Sequence, residues 1–166
     1  MLDAETVRNL LHYDPDTGLF TWKVSRGGTA TVDSGAGFIN TGKSSGYVLI
    51  KVCCASYKAH RLAWLYMTGE WPAEQIDHIN RCRSDNRWAN LRAASHSQNQ
   101  TNSNLYKNNT TGLKGVYWYK KLRKWAAMMR SDGHLKYLGV YDCPAAAHFS
   151  YLVAANKLRG DFTLGV

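Results

Sequence analysis

Two hydrophobic periods alternate along this chain, and each change of period marks an element. Val7, Leu10 and Leu11 share one side of a helical pattern that Asp3 can cap, so residues 3–12 read as a short helix ending before the turn Asp14-Pro15-Asp16-Thr17-Gly18. Leu19-Phe20-Thr21-Trp22 then reads as a strand. Residues 26–46 hold six of the fourteen glycines, which predicts a long mobile loop or an irregular hairpin. Residues 47–52 give the clearest strand of this half, and adjacent Cys53 and Cys54 continue its apolar run as buried small hydrophobes. From Ala59 the period becomes helical, with Leu62, Ala63, Leu65 and Tyr66 inward, Gly69 as the C-terminal cap residue and Pro72 barring continuation. After a polar linker over 101–104 and 107–112, three alternating segments follow (115–119, 124–130 and 135–141), separated by short turns. They predict a three-stranded antiparallel meander. A last helix runs from Pro144 to Arg159, with Ala147, Tyr151, Ala154, Ala155 and Leu158 on one face and Gly160 behind it. The fold class is α+β.

With 166 residues, 45% of them hydrophobic, the chain suffices for one or two compact modules. Its net charge of +9 points to a polyanionic partner. Nucleic acid is expected ahead of a membrane, because neither a basic amphipathic helix nor an apolar run of membrane-spanning length is present. The charge is uneven: residues 1–100 carry eleven Lys and Arg against nine Asp and Glu, whereas residues 101–166 carry ten against three. Four cysteines show neither a disulfide framework nor metal-ligand spacing, and no secretory signal opens the sequence, so a reducing cytoplasm is expected. The identity of any protein partner is not readable.

The chemistry concentrates in residues 76–102, I-D-H-I-N-R-C-R-S-D-N-R-W-A-N-L-R-A-A-S-H-S-Q-N-Q-T-N. Metal-assisted phosphodiester hydrolysis needs an oxygen-ligated divalent cation at the phosphate and a neutral base for the attacking water. Asp77 and the amide oxygen of Asn99 are suitable hard ligands, and His78 has the side chain that titrates nearest neutrality. Asn90 is placed to supply the carbonyl that fixes the imidazole tautomer. Ser95-His96-Ser97-Gln98 fits a capping box, so a helix should begin at Ser95 and carry Asn99 in its first turns. An Asp-His pair standing alone is more often a surface turn; the ordered set of four outweighs that reading. Arg87 and Arg92 are candidates to hold a phosphate. His60 and Arg61 belong to a helix start, where a histidine is more often structural.

This run resembles the HNH endonuclease motif, in the subgroup of phage and intron-borne homing endonucleases that carry asparagine in place of the last histidine. The resemblance implies a ββα-metal module with Asp77 and Asn99 on one divalent metal, Mg²⁺ or Mn²⁺, His78 as general base, and Asn90 orienting it. The preceding H-R-L-A-W-L-Y-x-T-G-E-W-P is similar to what precedes that site in phage members.

The C-terminal run, K-G-V-Y-W-Y-K-K-L-R-K-W-A-A-M-M-R through K-Y-L-G-V-Y-D-C-P to L-R-G-D-F, resembles the Apetala/ethylene-response-factor DNA-binding domain, known from plant transcription factors and as a C-terminal module of phage HNH endonucleases. It implies a three-stranded sheet, packed on one helix, that lies in the major groove. Lys114, Tyr117, Trp118, Lys120, Arg123, Trp125 and Arg130, with Met128, are its candidate DNA-facing residues. The expectation is therefore an endonuclease module at 1–104 and a DNA reader at 105–166, together a homing-type nuclease acting in a bacterial, phage-infected cytoplasm. The rival expectation is a non-catalytic DNA-binding protein, a repressor or accessory factor, with a relic motif.

Overall fold

A computed structural model describes residues 2–28, 30–42, 45–96, 98–99, 105, 108–131 and 133–159. It is a mixed helix and strand fold of three helices and four small antiparallel sheets among those residues, in two compact units, Met1–Ala94 and Ser95–Val166.

In the first unit Asp3 caps α1 (Ala4–Leu10), its Oδ1 accepting from Thr6 N at 2.8 Å. The helix is shorter than its periodicity predicts. Leu11 and His12 leave it for β1 (Leu11–Tyr13), which pairs with β2 (Phe20–Trp22) and thereby buries Leu11 and Tyr13 against the core. The turn between them is held by Asp14, which accepts from Asp16 N at 2.9 Å and from the Thr17 hydroxyl at 2.8 Å. The glycine-rich stretch carries β3 (Phe38–Ile39), the edge of a three-stranded sheet completed by β4 (Val48–Val52) and β5 (Ala55–Lys58). Cys53 and Cys54 correct the expectation of burial. They are the two exposed turn residues of the β4–β5 hairpin, with φ of 49° and 63°, because a two-residue hairpin whose twist matches its strands needs both centres left-handed. Helix α2 (Ala59–Thr68) follows at once and buries Leu62, Ala63 and Leu65. It ends at Gly69 in the left-handed region, whose N–H returns to Leu65 O. Strands β6 (Gln75–His78) and β7 (Leu91–Ala94) close the unit as a two-stranded ladder, with Trp88–Asn90 forming one 3₁₀ turn before β7. Val7, Leu11, Tyr13, Phe20, Ile50, Val52, Leu62, Leu65, Ile76 and Leu91 share one core, so the ladder is anchored on both strands.

In the second unit the capping box forms as expected. Gln98 N donates to Ser95 Oγ at 3.3 Å and Ser95 N to Gln98 Oε1 at 2.8 Å, with His96, Gln98 and Asn99 helical. Strands β8 (Val116–Tyr119), β9 (Lys124–Ser131) and β10 (His134–Tyr141) make the meander in the order β10-β9-β8. Helix α3 (Pro144–Arg159) lies against it through Ala147, Tyr151 and Ala155, which meet Val116, Ala127 and Met129. Leu158 departs from the expected inward face and is half exposed. Gly115 has φ of 72°, and a Cβ there would meet the Tyr151 ring, so α3 rests on bare backbone at that point. The linker residues 101–104 and 107, and the Gly160-Asp161-Phe162 landmark, lie outside the described residues.

Candidate active site

The β6–β7 register sets Asp77 opposite Arg92 and His78 opposite Leu91. Asp77 and His78 are buried, 4% and 5% exposed, at the point where β6 gives way to the loop 79–87. A buried carboxylate requires a partner. Arg92 provides it, with Nε at 2.9 Å and Nη2 at 2.8 Å, both on Asp77 Oδ2.

The loop is organised around Asn90, whose role differs from the expected one. Its Oδ1 accepts from Asn80 N at 3.0 Å, and its Nδ2 donates to Asn80 Oδ1 at 3.0 Å and to Asp85 O at 2.8 Å. Asn90 therefore ties the two ends of the loop together, and its amide, occupied by backbone and by Asn80, is not at His78. The residue at His78 is Asn86, 3% exposed, whose Oδ1 lies 3.3 Å from His78 Nε2. Asn86 Nδ2 donates to Ser84 O at 3.2 Å, which sets the amide's orientation and leaves a carbonyl oxygen facing the imidazole. A carbonyl only accepts, so this contact suits the His78 tautomer with its proton on Nε2, in which the basic lone pair is on Nδ1. Burial pushes the His78 pKa down, partly opposed by the Asn86 bond and the charges of Asp77 and Asp85, and so favours the neutral, basic form.

Asn86 is held from the other end of the chain. Tyr13 Oη donates to Asn86 O at 2.6 Å, and Trp88 N donates to Pro15 O at 2.9 Å. Gly18, with φ of 74°, lets its backbone lie directly against the Asn86–Arg87 peptide. The N-terminal turn is thus a buttress for the loop.

A second imidazole, His60 in the first turn of α2, packs edge-on against His78 with ring centroids 4.9 Å apart, and Tyr47 lies 5.1 Å from His60 and 6.0 Å from His78. His60 is 5% exposed, and its Nδ1 has no hydrogen-bond partner among the described residues. Burial first, and then the neighbouring His78, Lys58 and Arg61, push its pKa down to about 3. Between that value and the ordinary 6.5 the unfolded chain binds a proton that the folded chain refuses, so stability rises with pH across this window. Acidification from pH 7 to pH 4 is expected to lower the melting temperature, and His60→Gln to flatten that dependence. A His60→Gln variant with the same pH slope as the parent would contradict it.

Asn99 stands in the second unit, in the helical turn capped by Ser95, where its N–H donates to Ser95 O at 3.0 Å. The expected phosphate-holding arginines are both engaged with carboxylates: Arg87 grips Asp85 at 2.8 and 2.6 Å, which holds that carboxyl down at about 2, and Arg92 grips Asp77. On the meander, strand alternation separates the aromatic candidates. Tyr117 and Arg130 lie on the face away from α3, with Met128 and Tyr137, whereas Trp125 packs into the α3-side core and Trp118 meets it edge-on at 5.0 Å. Of the two tryptophans named as DNA-facing candidates, Trp125 is partly buried in that core and Trp118 stays 44% exposed. Lys120 and Arg123 occupy the exposed β8–β9 turn, and Lys114 O accepts from His148 Nδ1 at 3.1 Å.

Two residues of the site were not singled out from sequence, and a third was named but read as structural. Asn86 stood inside the motif as one asparagine among several; Tyr47 read as the start of a strand; His60 carried the signal of its H-R-L-A-W context but read as structural.

Residues 57–101 match the HNH endonuclease family. The chain is also 35% identical over 81 residues to Protein 3.8 of Escherichia phage T7, an alignment covering 46% of this chain and 67% of that protein. No solved structure matches it. Among the described residues no helix is long and apolar enough to cross a membrane. With an Asp-His pair buried on a two-stranded ladder, and an asparagine-tied loop holding the imidazole, inside the matched segment, the chain carries an HNH endonuclease domain and belongs to one family with phage T7 Protein 3.8.

Proposed function

We propose that the chain is a metal-dependent, homing-type DNA endonuclease in which His78 is the general base and the C-terminal unit reads the DNA. The observation that carries this is the state of His78: buried, kept neutral by its surroundings, held at Nε2 by Asn86, and adjacent in sequence to a buried carboxylate within the HNH match. In that tautomer Nδ1 accepts the proton of the attacking water, and the Asn86 carbonyl stabilises the positive charge that follows. Arg92 fixes the Asp77 carboxylate and offsets the cost of burying it.

The donor set fits a hard divalent cation. Asp77 would offer it a carboxylate oxygen, and the resemblance to HNH nucleases adds the amide oxygen of Asn99 as a second ligand. Oxygen ligands of this kind suit Mg²⁺ or Mn²⁺, which keep waters and take phosphate oxygens. When bound, such a cation supplies charge neutralisation at the phosphate and at the departing 3′ oxygen. Nicking of supercoiled plasmid is expected with Mg²⁺ or Mn²⁺ and none in excess EDTA; full activity in EDTA would refute the metal.

For the C-terminal unit the proposal is an Apetala/ethylene-response-factor-like reader laid against duplex DNA by the outward face of its meander. Its charge supports this, since ten of the twenty-one Lys and Arg follow residue 100 against three acids. Counterion release makes the slope of log affinity against log salt count the phosphates neutralised, at about 0.9 each. Lys120→Gln and Arg123→Gln should each make that slope shallower by about one. Identical slopes for parent and variants would remove the turn from the interface.

A further inference from the structure

Two cations rest on one tyrosine beside His78, and neither is in the machinery described above. Lys58 Nζ lies 4.4 Å and Arg83 Cζ 5.0 Å from the centroid of the half-buried Tyr47 ring, which is itself 6.0 Å from the His78 ring. Lys58 ends β5, Arg83 comes from the loop 79–87, and Arg83 Nη1 is braced by Ser45 O at 3.1 Å. Arg87, Arg92 and Lys124 have carboxylate partners; among the described residues Lys58 and Arg83 have none. Lys58 is also the N-cap residue of α2, whose first turn has no acidic residue and no side-chain cap, so the positive end of the helix dipole adds to the same charge.

Like charges gathered on one small ring repel. A tyrosine face returns only a weak attraction for each cation. The arrangement is complete when an anion sits against it, and a polyanion led past His78 brings one. Resting on the endonuclease reading above, we propose that Lys58 and Arg83, seated on Tyr47, clamp the backbone phosphate of duplex DNA next to the one that His78's water attacks. The clamp holds ground state and transition state alike, so it sets how DNA is held and in what register it meets the base. Arg83 arrives on the loop that also carries Asn86, so the contact couples strand placement to the residue that orients the base.

The test uses the intact chain with Lys58→Gln, Arg83→Gln, the double variant, and the charge-keeping K58R/R83K pair. Duplex binding is measured in EDTA against salt by fluorescence anisotropy, and plasmid nicking in Mg²⁺. The double variant should flatten the salt slope by one to two units, at about 0.9 per phosphate lost. Each single variant should lower kcat/KM for nicking about tenfold, the loss falling in KM rather than kcat. K58R/R83K should restore both. A double variant that keeps the parent's melting temperature and also its slope and KM overturns the clamp. Should the double variant not fold, Arg83→Gln alone, at an exposed position, decides by the same two readouts. A parent chain that binds DNA but never nicks it, with the slope still lost in the variants, refutes the nuclease reading and upholds the clamp. A parent that nicks, with variants indistinguishable from it, does the reverse.

Discussion

His78→Ala is expected to reduce plasmid nicking by about two to four orders of magnitude while duplex affinity in EDTA changes no more than a few-fold. A positioned general base contributes that much to the transition state and little to ground-state binding. The geometry sharpens the expectation. Asn86 accepts from His78 Nε2 and leaves Nδ1 as the basic atom, so Asn86→Ala should also slow nicking, by less than loss of the imidazole itself, without moving affinity. Asn90→Ala should instead act through the loop, because Asn90 bonds to Asn80 and Asp85 and not to the base. It should lower the melting temperature along with the rate. Near-parental nicking by His78→Ala would end the assignment of the base.

Gly18→Val is expected to destabilise the first unit and to disable the site from more than sixty residues away in sequence. A Cβ at residue 18 would stand 2.4 Å from Arg87 N and 2.5 Å from Asn86 C, backbone atoms that cannot swing aside as a side-chain tip can. The backbone is also left-handed there, at φ of 74°, where an ordinary residue costs roughly 1–2 kcal/mol before any clash is counted. For a unit of this size each kcal/mol is about 4–8 °C in melting temperature, so a fall on the order of 10 °C or more should be seen. Gly28→Val is the comparison: its φ is 61° with nothing within 4 Å, so it bears the backbone cost alone. Equal melting temperatures for the two variants would show that the turn does not carry the Asn86 loop.

Much of the scaffold was legible because its signals are local. The Asp3 cap, the Ser95–Gln98 box, the Gly69 terminus and the alternation of the meander each depend on residues within a few positions of one another, and all appear where their spacing puts them. The Cys53-Cys54 hairpin failed for the opposite reason. Apolarity suggested burial, but the strand pairing on either side required a two-residue turn at that place, and pairing outweighed the small benefit of burying two thiols.

The site divides in the same way. By itself the sequence determined that an Asp-His pair lies in an ordered HNH-like run, that a capped helical turn carries Asn99, and that positive charge gathers toward the C-terminus, since order, spacing and charge are properties of the chain. Only the tertiary structure decided which asparagine holds the imidazole, that Arg87 and Arg92 are engaged with carboxylates, that His60 is buried against His78, that Trp125 packs into the α3-side core, and that Lys58 and Arg83 meet on Tyr47. Each of these pairs groups from different elements competing for the same partners. The outcome depends on burial, on backbone approach at Gly18, and on which donors reach which oxygens first, and none of that is encoded at a fixed distance along the chain.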